Sequence, residues 1–263
     1  MAPDGARLKK TAGRVLAVLF ALLVWQIAAE LANLRIVLVT PVEVLRRMCT
    51  IWREPGFFET LWFSFRHIAA GFFLGLILGS AFAALAGRFS WIETLLWPFM
   101  VTVKTVPVAS FIVICLIWLR TESLSVFISF LIVLPVVYGN LLEGIKSEDR
   151  GMKELAEVYH LPMPRRMIYV HLPQLKPFIF SACSTSLGMA WKAGVAAEII
   201  GTPNGSVGKM LYYAKIYLDT DDLLCWTLVI VAVSVLFEKL FMFLLKRLVE
   251  KLGMGGALHG GRA

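Results

Sequence analysis

Lys192 stands inside an apolar run, flanked by Trp191 and Ala193, with Glu198 six residues further on. An ionisable group at membrane depth costs about 2.5–3.5 kcal/mol on insertion scales unless it is paired or hydrated, so its presence points to a function. A lysine there offers a fixed positive charge to a passing anion. The alternative is a structural ion pair, with Glu198 or Glu143 as partner. Trp191, Ser184, Gly188 and Glu198 share the run with Lys192 and complete a candidate substrate pathway.

Covalent chemistry finds no comparable set. His67, His160, His171 and His259 do not gather on one apolar run, and neither an HExxH nor a GxSxG pattern occurs. The four cysteines, Cys49, Cys115, Cys183 and Cys225, lack metal-ligand or disulfide-framework spacing. No catalytic or metal site is expected. The nearest approach to a phosphate loop, Pro203 to Met210, lacks the first glycine and places Met210 where a hydroxyl must hold magnesium. If ATP drives this protein, another chain must bind and hydrolyse it.

The elements that position Lys192 follow from the solvent. Hydrophobic residues make up 59% of the 263 residues, and the mean hydropathy is +0.76, well above the roughly 45–50% apolar usage of soluble domains. The chain is expected to be a single all-α, polytopic membrane domain. Since each crossing needs about 20 mainly apolar residues, six spans are expected at about 12–30, 66–87, 101–119, 123–142, 178–200 and 223–245. Counted from Phe178 at about 1.5 Å per residue, Lys192 lies roughly 20 Å into the fifth. The first span follows Arg7, Lys9, Lys10 and Arg14, like the start of a signal peptide; Ile27-Ala28-Ala29 is a poor cleavage site, so the segment is read as a retained helix.

Lysines and arginines favour both termini in the cytoplasm. This placement puts Arg88, Lys104, Lys146, Arg150, Lys153, Arg165, Arg166, Lys176, Lys246 and Arg262 inside, and leaves Arg35, Arg46, Arg47, Arg53, Arg120, Lys209 and Lys215 outside. The net charge of +8 belongs to this topology. No basic stripe interleaved with aromatics indicates nucleic acid. In the first outer connection, Thr40-Pro41-Val42-Glu43 is a capping box with proline at the first helical position. The short helix it opens carries Val44, Leu45, Met48 and Trp52 as a stripe, suited either to the membrane interface or to packing.

Gly71, Gly75, Gly79, Ala83 and Gly87 recur every four residues on the second span. They form one smooth ridge against which another helix can lie closely. A groove lining the substrate is the competing reading.

One polar island, Ser147 to Lys176, interrupts the oily chain on the cytoplasmic side. Glu148, Asp149 and Glu154 suit a helix N-terminus, Leu155, Val158 and Tyr159 form an apolar face, and Pro162 stops the helix. Pro164 opens a second short helix; Leu172-Pro173 and Lys176-Pro177 then redirect the chain into the fifth span. Apolar residues at helical spacing within a polar loop suit an element that presses on a partner protein.

At Glu154-Leu155-Ala156 and Val170-His171-Leu172-Pro173 the island resembles the EAA signature of permease subunits of bacterial ABC importers. The resemblance runs from about Thr40 to Leu245. Thr40 to Leu45, Arg66 to Gly71 and Ala190 to Glu198 are similar to the nitrate, sulfonate and taurine branch. The resemblance implies that Glu154, Leu155, Ala156, Val158, Tyr159, His160 and Leu161 form a coupling helix docked on a cytoplasmic ATPase subunit that binds ATP and magnesium. Pro162, Pro164, Leu172 and Pro173 would scaffold it. It also implies a second permease copy, an extracytoplasmic substrate-binding protein and residence in the bacterial cell membrane. His160 stands where the family usually has glycine, a residue that permits positive φ. Alternatives are a vitamin-precursor permease of the same fold and an ion-gradient-driven secondary transporter, which should show repeated halves with paired intramembrane acids.

Overall fold

The computed structural model describes residues 4–32 and 39–251. Arg35, His259 and Arg262 lie outside the described residues. Among those described, every regular element is helical: α1 (Asp4–Ala32), α2 (Pro41–Ile51), α3 (Phe57–Arg88), α4 (Ser90–Thr105), α5 (Val108–Cys115), α6 (Thr121–Lys146), α7 (Arg150–Val158), α8 (Met163–Arg166), a π-helical turn (Met167–His171), α9 (Leu172–Gly201), α10 (Val207–Ile216) and α11 (Thr220–Lys251).

The long helices contain five of the six expected spans, and α3 begins well before residue 66. The segment expected to span at 101–119 is not one helix. It breaks at Val106 and Pro107, and α4 and α5 meet at a bend of 103°. Val106 is extended, as the residue before a proline prefers, and Pro107 cannot donate the amide that would carry a helix onward. Among the described residues α3, α6 and α11 are long and apolar enough to cross a membrane, and the bent pair counts as a fourth only if its two halves form one span. The 30-residue α9 is diluted by Lys176, Lys192, Glu198 and its many small residues.

The core is α6, packed along α3 on one side and α9 on the other. The small-residue ridge makes the first contact possible. A Cβ on Gly75 would sit 2.7 Å from the Val133 side chain, one on Gly79 2.9 Å from the Leu134 carbonyl, and one on Gly87 2.7 Å from Ile145. Gly71 faces Ser129 and the backbone of α6 in the same way, and Ala83 is fully buried. The ridge therefore sits in close contact with α6. On α9, Gly194 repeats the device against Ile68 and Ser129, and Ser129 donates to the Ala190 carbonyl at 3.1 Å.

In the outer connection both halves of the Thr40 capping box form, with Glu43 N donating to Thr40 Oγ1 at 3.3 Å and Thr40 N to Glu43 Oε2 at 3.0 Å. Val44 and Ile51 are buried, and Ile51 packs with Phe57, Val207 and Trp226. Arg47 bonds Asp222 at the start of α11. This helix is thus a packed connector, with Leu45 and Trp52 left exposed.

Candidate functional site

The polar hairpin begins where Asp149, in extended conformation, caps α7 by accepting the Gly151 amide at 2.8 Å. Four side-chain contacts fasten its base. Glu148 is buried; its carboxylate accepts Lys153 Nζ at 2.9 Å and lies 2.9 Å from His171 Nδ1 through both oxygens. A carboxylate can only accept here, so Nδ1 carries the proton. Gln174 Oε1 accepts the Asp149 amide at 2.7 Å, and Arg166 donates to Glu157 at 3.1 Å. Thus α7 is tied to the root of α9.

Its other side has no cover among the described residues. Ala156 is buried, but Leu155, Val158 and Tyr159 are exposed, Val158 by 73%, and Glu154 is exposed beside them. The helix ends in a Schellman motif: the Leu161 amide reaches the Ala156 carbonyl and the His160 amide the Glu157 carbonyl, both at 3.0 Å. His160 has φ 46°, the left-handed conformation for which glycine is preferred. Pro162 follows outside any helix, as its missing donor dictates.

Beyond Pro162 a second short helix, α8, forms as expected, but the corners expected at Leu172-Pro173 and Lys176-Pro177 do not. Pro164 falls within α8, and the chain then stays helical through the π turn into α9. Pro173 lacks the amide that would continue an α-helical ladder; one position earlier the Leu172 amide reaches Met167 instead, a five-residue closure that absorbs the interruption. Leu172 and Pro173 open α9, and Pro177 lies inside it.

The five residues of the candidate pathway separate. Lys192 alone of the five lines a cavity of about 550 Å³, enclosed by α4, the α4–α5 bend, α6 and α9. Trp191 is buried against Phe65 and Phe237. Ser184 donates to Glu238 at 2.9 Å, linking α9 to α11. Gly188 is half-buried, with open space above it. Glu198 is fully buried and makes no ion pair with Lys192; its Oε2 accepts Ser64 Oγ at 2.6 Å and the Gly208 amide at 3.2 Å. Spacing alone could not separate these roles, because one helical run serves three faces.

Sequence reading missed Lys104 at this cavity by assigning it to the cytoplasmic end of a span. In the structure α4 starts at Ser90, and Glu93 in its first turn bonds Lys146 at the end of α6 at 2.5 Å. Lys104 therefore stands roughly 16 Å further along the helix than Glu93. The clue was Ser90, which could have opened a helix long enough to carry Lys104 inward.

The glycine-rich turn before α10 is an anchored corner. Ser206 caps α10 by accepting the Lys209 amide at 3.1 Å, and Ser64 Oγ accepts the Val207 amide at 2.9 Å. A Cβ on Gly208 would collide with Glu198. Past α10, Leu218 closes a second Schellman motif at φ 57°, and Asp219 is pushed up to about 6, chiefly by its hydrogen bond to Asp221 and then by partial desolvation of an otherwise exposed carboxyl.

Residues 71–253 match the sequence profile of the family described as "binding-protein-dependent transport system inner membrane component". Among curated relatives, a putative aliphatic sulfonates transport permease protein of Bacillus subtilis is 29% identical, over 86% of this chain and 83% of that protein. The taurine transport system permease protein of Escherichia coli is 28% identical, over 82% and 81%. A bicarbonate transport system permease protein of Synechococcus elongatus is 22% identical, over 71% and 67%. With more than half its length matched and its helices arranged around α6, the chain belongs to the family of inner membrane components of binding-protein-dependent transport systems.

Proposed function

We propose that this permease forms half of the pathway of an ATP-driven importer for a small anion. Six crossings, α1, α3, the bent α4–α5 pair, α6, α9 and α11, would place both termini and the polar hairpin in the cytoplasm. A second copy or a close relative completes the pathway, and an outer binding protein delivers the substrate. The relatives named for aliphatic sulfonates, taurine and bicarbonate support an anion. Sulfonate, taurine or nitrate is the substrate class proposed.

The observation that carries the reading is the uncovered apolar face of α7. Leu155, Val158 and Tyr159 stand exposed on a helix whose opposite side is fastened to α9 through Glu148. An apolar patch rimmed by charges, facing water, marks a protein contact. An ATPase subunit seated there would move α7 and the root of α9 as one body and so switch the bundle between outward and inward openings. ATP and magnesium belong to that subunit, with no nucleotide held by this chain. In support, the first amides of α10, the nearest phosphate-loop analogue, are already taken by Ser64 and Glu198.

The test is co-purification of the chain with the ATPase subunit of its own importer. Val158→Asp should abolish complex formation while leaving membrane insertion and the thermal melt unchanged. A Val158→Asp chain that still assembles and supports ATP-driven uptake would refute the docking role.

A further inference from the structure

Lys104 and Lys192 come from different helices to one cavity. Both are exposed in the single chain, and neither has a carboxylate within 4 Å among the described residues. Exposed ammonium groups this far along their helices cannot face lipid cheaply, so this mouth opens on water or on another copy of the chain. The bend at Val106 and Pro107 ends α4 just past Lys104. Gly139 makes room for its side chain, since a Cβ there would lie 3.2 Å from Lys104 Nζ.

The rest of the wall is hydrocarbon: valines of α4, α5 and α6, Ile132, Pro135, Met189, Ala193 and Ala196. No hydroxyl, amide or carboxylate side chain joins them among the lining residues. An inorganic oxyanion needs donors on every side, and here most of its oxygens would face carbon without a hydrogen bond. An anion with a charged head and a short apolar tail matches both parts of the wall, and the volume suits a ligand of that size.

We propose that Lys104 and Lys192 hold the oxyanion head of a small organic anion, an alkyl sulfonate or carboxylate, while its hydrocarbon part lies against Ile132, Ala193 and Ala196. The proposal rests on the importer reading above and narrows its substrate class.

The test measures calorimetric binding of 1-pentanesulfonate, methanesulfonate and nitrate to the purified full chain assembled with its ATPase subunits. Pentanesulfonate should bind more tightly than methanesulfonate, and nitrate least. Lys104→Met and Lys192→Met should each weaken pentanesulfonate roughly tenfold or more, and Lys192→Arg should restore most of the loss. Ala196→Leu, which fills the apolar end, should weaken pentanesulfonate several-fold and leave methanesulfonate unchanged. Absence of pentanesulfonate binding, nitrate binding as tightly as pentanesulfonate, or a Lys104→Met/Lys192→Met chain binding within twofold of the parent would each overturn the proposal. Assembly with the ATPase subunits is read on the same samples, so failure of the importer reading would appear as loss of the complex, separately from the affinities.

Discussion

Ser64 of α3 donates its hydroxyl to Glu198 of α9 at 2.6 Å, and both groups are buried. The same serine oxygen accepts the Val207 amide at 2.9 Å, and Glu198 Oε2 also accepts the Gly208 amide. Two residues far apart in the chain thus satisfy the first amides of α10, where a helix dipole favours a carboxylate. A buried donor left without a partner costs about 1–3 kcal/mol, and the cavity left by a truncated side chain adds to it.

Glu198→Ala should therefore destabilise the purified chain by about 2–4 kcal/mol. Glu198→Gln, which keeps an acceptor in the same place, should lose less than half of that. Thermal unfolding in detergent compares them. If both variants melt with the parent, the α10 anchor is not what Glu198 provides.

The ridge on α3 makes a separate prediction about packing. Gly75→Leu must place a whole side chain where a Cβ alone would already stand 2.7 Å from Val133. Overpacking of this kind costs about 1–3 kcal/mol or more, and the α3–α6 contact should open. Gly188→Ala, with nothing within 4 Å of the new methyl, is the internal control and should melt with the parent. Equal melting of Gly75→Leu and parent would remove the ridge from the account.

Much of this arrangement was legible from local rules. Small residues every four positions announce a close helix contact, and Thr40, Pro41 and Glu43 announce a helix start, because each signal acts within a turn or two. The exposed face of α7 was legible for the same reason. What escaped were decisions made between helices. Trp191, Lys192 and Glu198 share one run, yet their neighbours come from α3, α6, α10 and α11, and only those neighbours separate a packing residue from a cavity residue. Likewise the proline-rich stretch from Pro162 to Pro177 reads as corners, whereas a π turn lets the helix run through most of it.

His160 lends itself to a direct test of turn chemistry. A non-glycine residue in left-handed conformation costs about 1–2 kcal/mol, and φ 46° at the Schellman position demands that conformation. His160→Gly should slow amide exchange at His160 and Leu161, the two donors of the motif. Faster exchange at Leu161 would mean that the imidazole, and not the backbone, holds this corner.

The outer corner gives a pH dependence with a definite sign. Asp219 is raised to about 6 from the usual carboxylate range, chiefly by the hydrogen bond it shares with Asp221. A group whose folded pKa is raised contributes stability that is complete below its unfolded value, about 4, and is lost as pH climbs through 6. Protonated Asp219 donates to Asp221; once both are ionised they repel. Asp219 is exposed, so solvent screens the effect and confines it to the corner. Amide exchange at Leu218 to Leu223, corrected for its intrinsic pH dependence, should show more protection at pH 4.5 than at pH 7.5. Asp219→Asn keeps a donor at every pH and should flatten that difference. Protection that instead rises from pH 4.5 to 7.5 in the parent would mean that Asp222 and Arg47, not the Asp219–Asp221 pair, govern the corner.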